Sequence, residues 1–157
     1  MADRIKPAAP EAPDESDELM DADRQAAQFE RVRTAQQTEK AEDYVEMIDD
    51  LINAYGEARV TDLAQRFGVS HATVNKIVKR LQRDGLVTSR PYRSIFLTAQ
   101  GSALADASRK RHQIVLNFLR AIGVSARNAE LDAEGIEHYV SAETLAAFEK
   151  ITSEKDG

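Results

Sequence analysis

The sequence contains no cysteine, which excludes disulfide frameworks, thiolate zinc sites and thiol catalysis. No stretch approaches the roughly 18 apolar residues of a membrane span. Met1 to Ser16 has no apolar h-region and does not read as a secretory signal, so the expected compartment is the cytoplasm and no membrane partner is expected. Nucleophile–base arrangements, Gly-rich phosphate loops and internal repeats are also missing, which argues against an enzyme acting on a small organic substrate. What remains is 157 residues, 42% hydrophobic and 31% charged, enough for one domain or two small ones.

The net charge of −6 conceals a strong asymmetry. Residues 1–58 hold 16 acids against 6 bases, and residues 130–157 hold 8 acids against 2 bases. Between them, residues 59–98 carry 8 bases and 2 acids, and residues 99–129 carry 5 bases and only Asp106. A basic middle between acidic ends makes the overall charge a poor guide to partners.

Residues 1–20 are rich in Pro, Ala, Asp and Glu and read as disordered. Asp21 to Lys40 is polar, at most a weakly anchored helix. From Ala41 the pattern sharpens. Tyr44, Ile48, Leu51, Ile52 and Tyr55 form one stripe of an amphipathic helix closed by Gly56. A short helix follows from Val60 to Phe67, stopped by Gly68. Ser70 caps another helix, with Val74, Ile77, Val78 and Leu81 inward. Leu86–Thr88 and Ile95–Leu97 then flank a Pro-containing loop, which predicts a two-stranded hairpin. Thr98 caps a long helix from Ala99 to about Ala121. A further helix or two runs from Ser125 to about Tyr139, and Ser141 caps the last, with Leu145, Phe148 and Ile151 on its apolar side.

Two short helices joined through Gly68-Val69-Ser70 and followed by a hairpin form the winged helix-turn-helix plan. Its second helix presents Ser70, His71, Ala72, Thr73, Asn75 and Lys76 at the turn that meets base edges in such motifs. Lys79, Arg80 and Arg83 follow on the sides not used for packing. Arg90, Tyr92 and Arg93 at the hairpin tip are placed to grip phosphates. The plain alternative is a solvated basic face. Helices, cap, hairpin and positive charge agree on DNA. His71 stands alone among bases, so DNA contact suits it better than a metal.

A second constellation is acidic. Glu134, Glu137 and His138 share one helical face at i, i+3, i+4, with Ile136, Tyr139 and Val140 opposite. Asp43 and Glu46 form another carboxylate pair, lying off the Tyr44–Ile48–Tyr55 stripe and available to another element. His112 sits on a partly apolar flank near Ser108, Leu116 and Leu119. Each has a plain alternative: solvated carboxylates, a packed histidine, a surface hydrogen-bonding cluster. Together they supply four carboxylates and two imidazoles, enough for a six-coordinate ion or a pair of ions. Oxygen donors without thiolate suit Mn²⁺.

Asp43-Tyr44-Val45-Glu46, Gly56 to Ala64, Arg111-His112-Gln113 and Asp132 to His138 resemble the manganese branch of the diphtheria-toxin-repressor family of metal-dependent repressors. The resemblance runs in register from about Glu42 to Ile151. It implies a mainly α fold: an N-terminal winged helix-turn-helix, then a helical metal-binding and dimerisation domain. The corresponding division is 1–38 extension, 39–98 DNA-binding domain, 99–157 dimerisation domain. No SH3-like third domain is expected. The implied ligands are Asp43, Glu46, His112, Glu134, Glu137 and His138. Asp43 stands where the iron branch has a thioether and Glu134 where it has a thiol, which is the manganese pattern. Tyr139 stands where a second His often follows, with little consequence expected, and the long N-terminal extension has no assigned role.

These residues imply a homodimeric repressor of manganese uptake genes, activated by one or two Mn²⁺ per subunit, with Fe²⁺ as another activating ion, and bound to double-stranded operator DNA. Two rivals remain open. One is a winged-helix regulator that ignores metal and senses an organic ligand. The other is a carboxylate-metal enzyme: Glu134-Gly-Ile-Glu137-His138 is superficially like H-x-x-E-H, but Glu134 occupies the first His position, and no Glu-x-x-His pair exists for a di-iron bundle.

Overall fold

The computed structural model describes residues 19–155, so the disorder expected for residues 1–18 lies outside the described region. The described residues form six helices and a small hairpin: α1 (Ala22–Tyr55), α2 (Val60–Phe67), α3 (His71–Arg83), β1 (Val87–Thr88), β2 (Phe96–Leu97), α4 (Ala99–Ala121), α5 (Ala126–Ile136) and α6 (Ala142–Lys155).

Helix α1 is longer than its apolar stripe requires. Its first turn is capped by Asp21, whose carboxylate accepts the Arg24 N–H at 3.3 Å. It ends at Gly56, whose φ of 82° is the left-handed conformation glycine adopts freely. The 34 residues make one rod of about 50 Å. Its first half is mostly exposed, Phe29 and Val32 included, because few apolar residues there can bury anything. A boundary at 38/39 therefore falls inside a continuous helix. Tyr44, Ile48 and Leu51 enter the core as the stripe predicts, but Tyr55 is 68% exposed, since α1 outruns the helices beneath it.

The first core gathers those residues with Ala58, Leu63, Ala64, Val74, Val78, Leu81, Val87 and Ile95. Tyr44 stacks on Phe67 with ring centroids 4.3 Å apart. Ser70 caps α3 by accepting the Thr73 N–H at 3.1 Å. The hairpin pairs Val87 with Leu97 and Thr88 with Phe96. Ile95 also bridges Ala58, donating its N–H to the Ala58 carbonyl at 2.8 Å. The wing is thus stitched to the segment before α2, a pairing between distant residues that alternation within the hairpin does not reveal.

Thr98 caps α4 and donates its hydroxyl to the Gly85 carbonyl at 2.6 Å. The second core holds Val115, Leu116, Leu119, Ala129 and Ala133, with Phe118 stacked on Phe148 at 3.9 Å. Ser141 caps α6 as expected. Leu145 and Phe148 pack on this core, but Ile151 is half-exposed because α6 has by then passed it. α5 stops at Ile136, earlier than Tyr139.

Helices α1 and α4 join the halves. Arg109 reaches from α4 to Asp49 at 2.6 Å and Asp50 at 2.7 Å. Arg111 pairs with the buried Glu42. Two guanidiniums thus hold together the acidic face of α1 and the helix that carries His112.

Candidate metal centre and nucleic-acid interface

On α1, Glu39, Glu42, Asp43 and Glu46 recur at three- and four-residue intervals and share one side of the helix. That side looks away from the first core and meets α4 and the end of α5. His112 comes from α4, Glu134 from α5, Glu137 from the α5 cap, and His138 from the turn beyond. A single helical face for the last three is therefore only partly right: the helix ends at Ile136, and the turn swings His138 toward α1.

Five of the six residues read from the sequence converge, and Glu46 lies beside them with Oε1 buried, without joining either donor group. His112 Nδ1 lies 3.6 Å from Glu134 Oε1 and 3.4 Å from Glu137 Oε2. His138 Nε2 lies 3.2 Å from Asp43 Oδ1 and 3.4 Å from Glu137 Oε1. Glu137 thus offers one oxygen to each imidazole. Among the described residues, two groups of donor atoms lie mutually within 4.8 Å: His112, Glu134 and Glu137, and Glu39, Asp43 and His138.

Both imidazoles are held from behind. His138 Nδ1 lies 2.6 Å from Glu42 Oε2, and His112 Nε2 lies 3.3 Å from Glu130 Oε2. With a cation bound, a proton kept on the nitrogen that faces the outer carboxylate would leave the inward lone pair to the ion, the arrangement by which metal-ligating histidines are oriented. Glu42, Glu39 and Glu130 are absent from the sequence-derived set. The signal available was the recurrence of acids along α1, but it does not distinguish the carboxylate behind an imidazole from the one in front.

The electrostatics are those of a centre short of positive charge. Burial pushes the Glu137 carboxyl up to about 7; Glu46 and Glu134 reinforce this and the two histidines oppose it. Burial also raises Glu46, with Glu134 and Asp43 adding to it. His138 is driven up to about 10, because the carboxylates of Asp43 and Glu42 overcome the burial that would lower it. Burial likewise raises Glu42, but hydrogen bonds from His138 and Arg111 outweigh it and hold this carboxyl below its ordinary value.

Glu46 Oε1, Glu137 Oε2 and His138 Nε2 are all buried without a hydrogen-bond partner. Buried polar atoms are rarely left unpaired. Three of them, all on predicted ligands, leave room for a cation that would satisfy them together. An oxygen-rich set with two imidazoles and no thiolate fits a hard or borderline divalent ion.

The other predicted surface lies on the winged helix. Ser70 at the cap of α3 and His71, Ala72, Thr73, Asn75, Lys76 and Lys79 on it are exposed, as are Arg90, Tyr92 and Arg93 on the wing. His71, Asn75 and Lys79 face the wing residues across an open groove of about 650 Å³. Tyr92 is fully exposed at the tip, with a left-handed φ of 58°. Arg80 lies apart from that groove and turns instead to α1, donating to the Gln37 carbonyl at 3.4 Å. Arg59, which sequence reasoning passed over, lines the groove. Glu57 anchors it at 3.0 Å and also accepts the Ser94 hydroxyl at 2.7 Å, tying Arg59 to the wing.

Residues 36–95 match the family described as iron dependent repressor, N-terminal DNA binding domain. Residues 98–154 match its companion, the metal binding and dimerisation domain. The transcriptional regulator MntR of Escherichia coli O6:H1 is 51% identical over 135 residues, covering 86% of this chain and 87% of that protein. The MntR of Salmonella typhimurium is 49% identical over 137 residues, 87% of each chain. Among solved structures, the manganese regulator SloR superposes with a TM-score of 0.63 at 26% identity over 72% of this chain. A manganese-dependent transcriptional repressor in complex with manganese gives 0.60 at 28% identity, also over 72%. This chain covers about half of those two, 53% and 52%. The chain therefore belongs to the iron-dependent-repressor family, that of the diphtheria-toxin repressor, and is a metal-dependent DNA-binding transcriptional regulator rather than an enzyme.

Proposed function

We propose that this protein is a cytoplasmic, homodimeric repressor of manganese uptake and homeostasis genes, activated by Mn²⁺. The observation that carries this reading is the convergence of Asp43, His112, Glu134, Glu137 and His138 with Glu46 beside them, three of the six with orphaned buried donor atoms. The names of the MntR relatives and of the manganese-bound neighbour support the choice of ion. Glu137 divides its oxygens between the two imidazoles, which supports two ions per subunit with Glu137 shared between them. Fe²⁺ would suit the same donors, so selectivity rests on geometry and availability.

The cation would supply positive charge where four carboxylates, Asp43 and Glu46 from α1 and Glu134 and Glu137 from the end of α5, crowd together. Without it, Glu46, Glu134 and Glu137 repel one another, while Arg109 and Arg111 hold α1 to α4. With it, the acidic face of α1 closes onto the dimerisation half. Because α1 also forms the floor of the winged helix, this fixes the reading head relative to the dimer axis. In the dimer, the two α3 helices would then stand one DNA turn apart, roughly 34–36 Å, or a multiple. Ile122 and Leu131, exposed on the C-terminal half, are apolar side chains that a second copy would cover. The domain division that serves this mechanism is an extension to residue 38, a DNA-binding unit 39–98 and a dimerisation unit 99–157. The ion acts only through its unequal affinity for the two states, a coupling of about 1–3 kcal/mol.

The test is operator binding by gel shift, with Mn²⁺ and in chelator. Tight binding with Mn²⁺ and a loss of roughly 5–150-fold without it is expected. Equal affinity in both overturns the proposal and favours a regulator indifferent to metal.

A further inference from the structure

Glu39 lies one helical turn before Asp43 on α1, on the same face, and belongs to none of the ligand positions discussed above as expected from the sequence. Its carboxylate nevertheless reaches the donor group of Asp43 and His138, with one atom of each residue within 4.8 Å of the others. One contact holds it there, and a separate observation points to a ligand. Tyr139, in the turn that delivers His138, donates its hydroxyl to Glu39 Oε2 at 2.8 Å. The His138 side chain is 1% exposed, and its Nε2, aimed into this group 3.2 Å from Asp43 Oδ1, makes no well-aligned hydrogen bond. The tyrosine donates to Oε2, and the carboxylate has a second oxygen to offer.

We propose that Glu39 is an additional cation ligand, completing the outer donor group with Asp43 and His138, and that Tyr139 is its positioning residue. This rests on the metal reading above and extends it. Without Glu39, the outer ion would have only Asp43, His138 and the shared Glu137 as side-chain donors. An octahedral ion such as Mn²⁺ takes six, so three positions would fall to water. Glu39 replaces one of these with a charged oxygen. The expectation that Tyr139 has little consequence is thereby changed: its hydroxyl is what restrains Glu39.

The full-length chain is titrated with Mn²⁺ by calorimetry, as wild type and as Glu39→Gln, Tyr139→Phe and Glu137→Gln. Glu39→Gln keeps an oxygen for the Tyr139 hydroxyl but removes the anionic ligand. It should weaken one binding step about tenfold or more and leave the other unchanged. Tyr139→Phe should weaken the same step by less, with unaltered metal-free melting, which a merely structural tether would lower. A Glu39→Gln isotherm identical to wild type overturns the proposal while leaving the metal centre standing. Wild-type Mn²⁺ binding by Glu137→Gln would instead overturn the reading of the centre itself.

Discussion

His138 and Glu42 form a buried pair, with Nδ1 2.6 Å from Oε2, and this contact decides which nitrogen of the imidazole faces the cation site. Glu42 is itself anchored by Arg111. Glu42→Gln keeps the size of the side chain but loses the charge that holds both neighbours. Mn²⁺ affinity should fall roughly 10–100-fold, as it does when carboxylates behind ligating histidines are removed. Calorimetry checks this, with circular dichroism to confirm an intact helical fold. Unaltered affinity would show that His138 orients itself without Glu42.

Arg59 and Asn75 line the same groove but should fail differently. Arg59 is fixed by Glu57 at the edge of the groove, where a guanidinium meets phosphate. Arg59→Ala should weaken operator and random DNA alike and flatten the salt dependence by about 0.9 per lost phosphate contact. Asn75 projects from the first turns of α3, where side chains reach base edges. Asn75→Ala should cost about 1–3 kcal/mol on the operator and little on random DNA. Fluorescence anisotropy over a range of salt concentrations separates the two. A uniform loss for Asn75→Ala would move it to the backbone-contacting set.

Gly101 marks the joint between wing and dimerisation half. A methyl group there would meet the Leu86 carbonyl at 2.0 Å, a backbone clash that no side-chain rotation relieves. Gly101→Ala should destabilise the fold by about 1–3 kcal/mol and disturb the hairpin, seen as a lowered urea midpoint. DNA affinity should fall with it, because α4's first turn packs on Leu97 of β2 and on Leu86, just before β1. A midpoint equal to wild type would mean that α4 can slide without cost.

The elements most readily read from the chain are those written in local chemistry. Ser70, Thr98 and Ser141 each cap the helix they precede, since a hydroxyl accepting an N–H three residues on needs nothing distant. The Tyr44–Ile48–Leu51 stripe is core because a helix repeats its face whatever lies beneath it. Tyr55 and Ile151 continue their patterns but stay exposed, since the partner surface ends before they do. The weakly anchored helix expected over Asp21 to Lys40 is there, but its continuity with the stripe from Ala41 was not legible, because exposed helix leaves little apolar trace.

The amino-acid order alone determined the donor chemistry: oxygen and imidazole without sulfur, and a basic stretch between acidic ends. Those are properties of side chains and survive any folding. Tertiary structure alone decided which carboxylates in the acidic run of α1 face inward, which stand behind an imidazole, and which, like Asp49 and Asp50, are taken by Arg109. Carboxylates on one helix face are chemically alike until another helix is laid across them. The angle and register at which α1 meets α4 and the α5 turn give each one its partner.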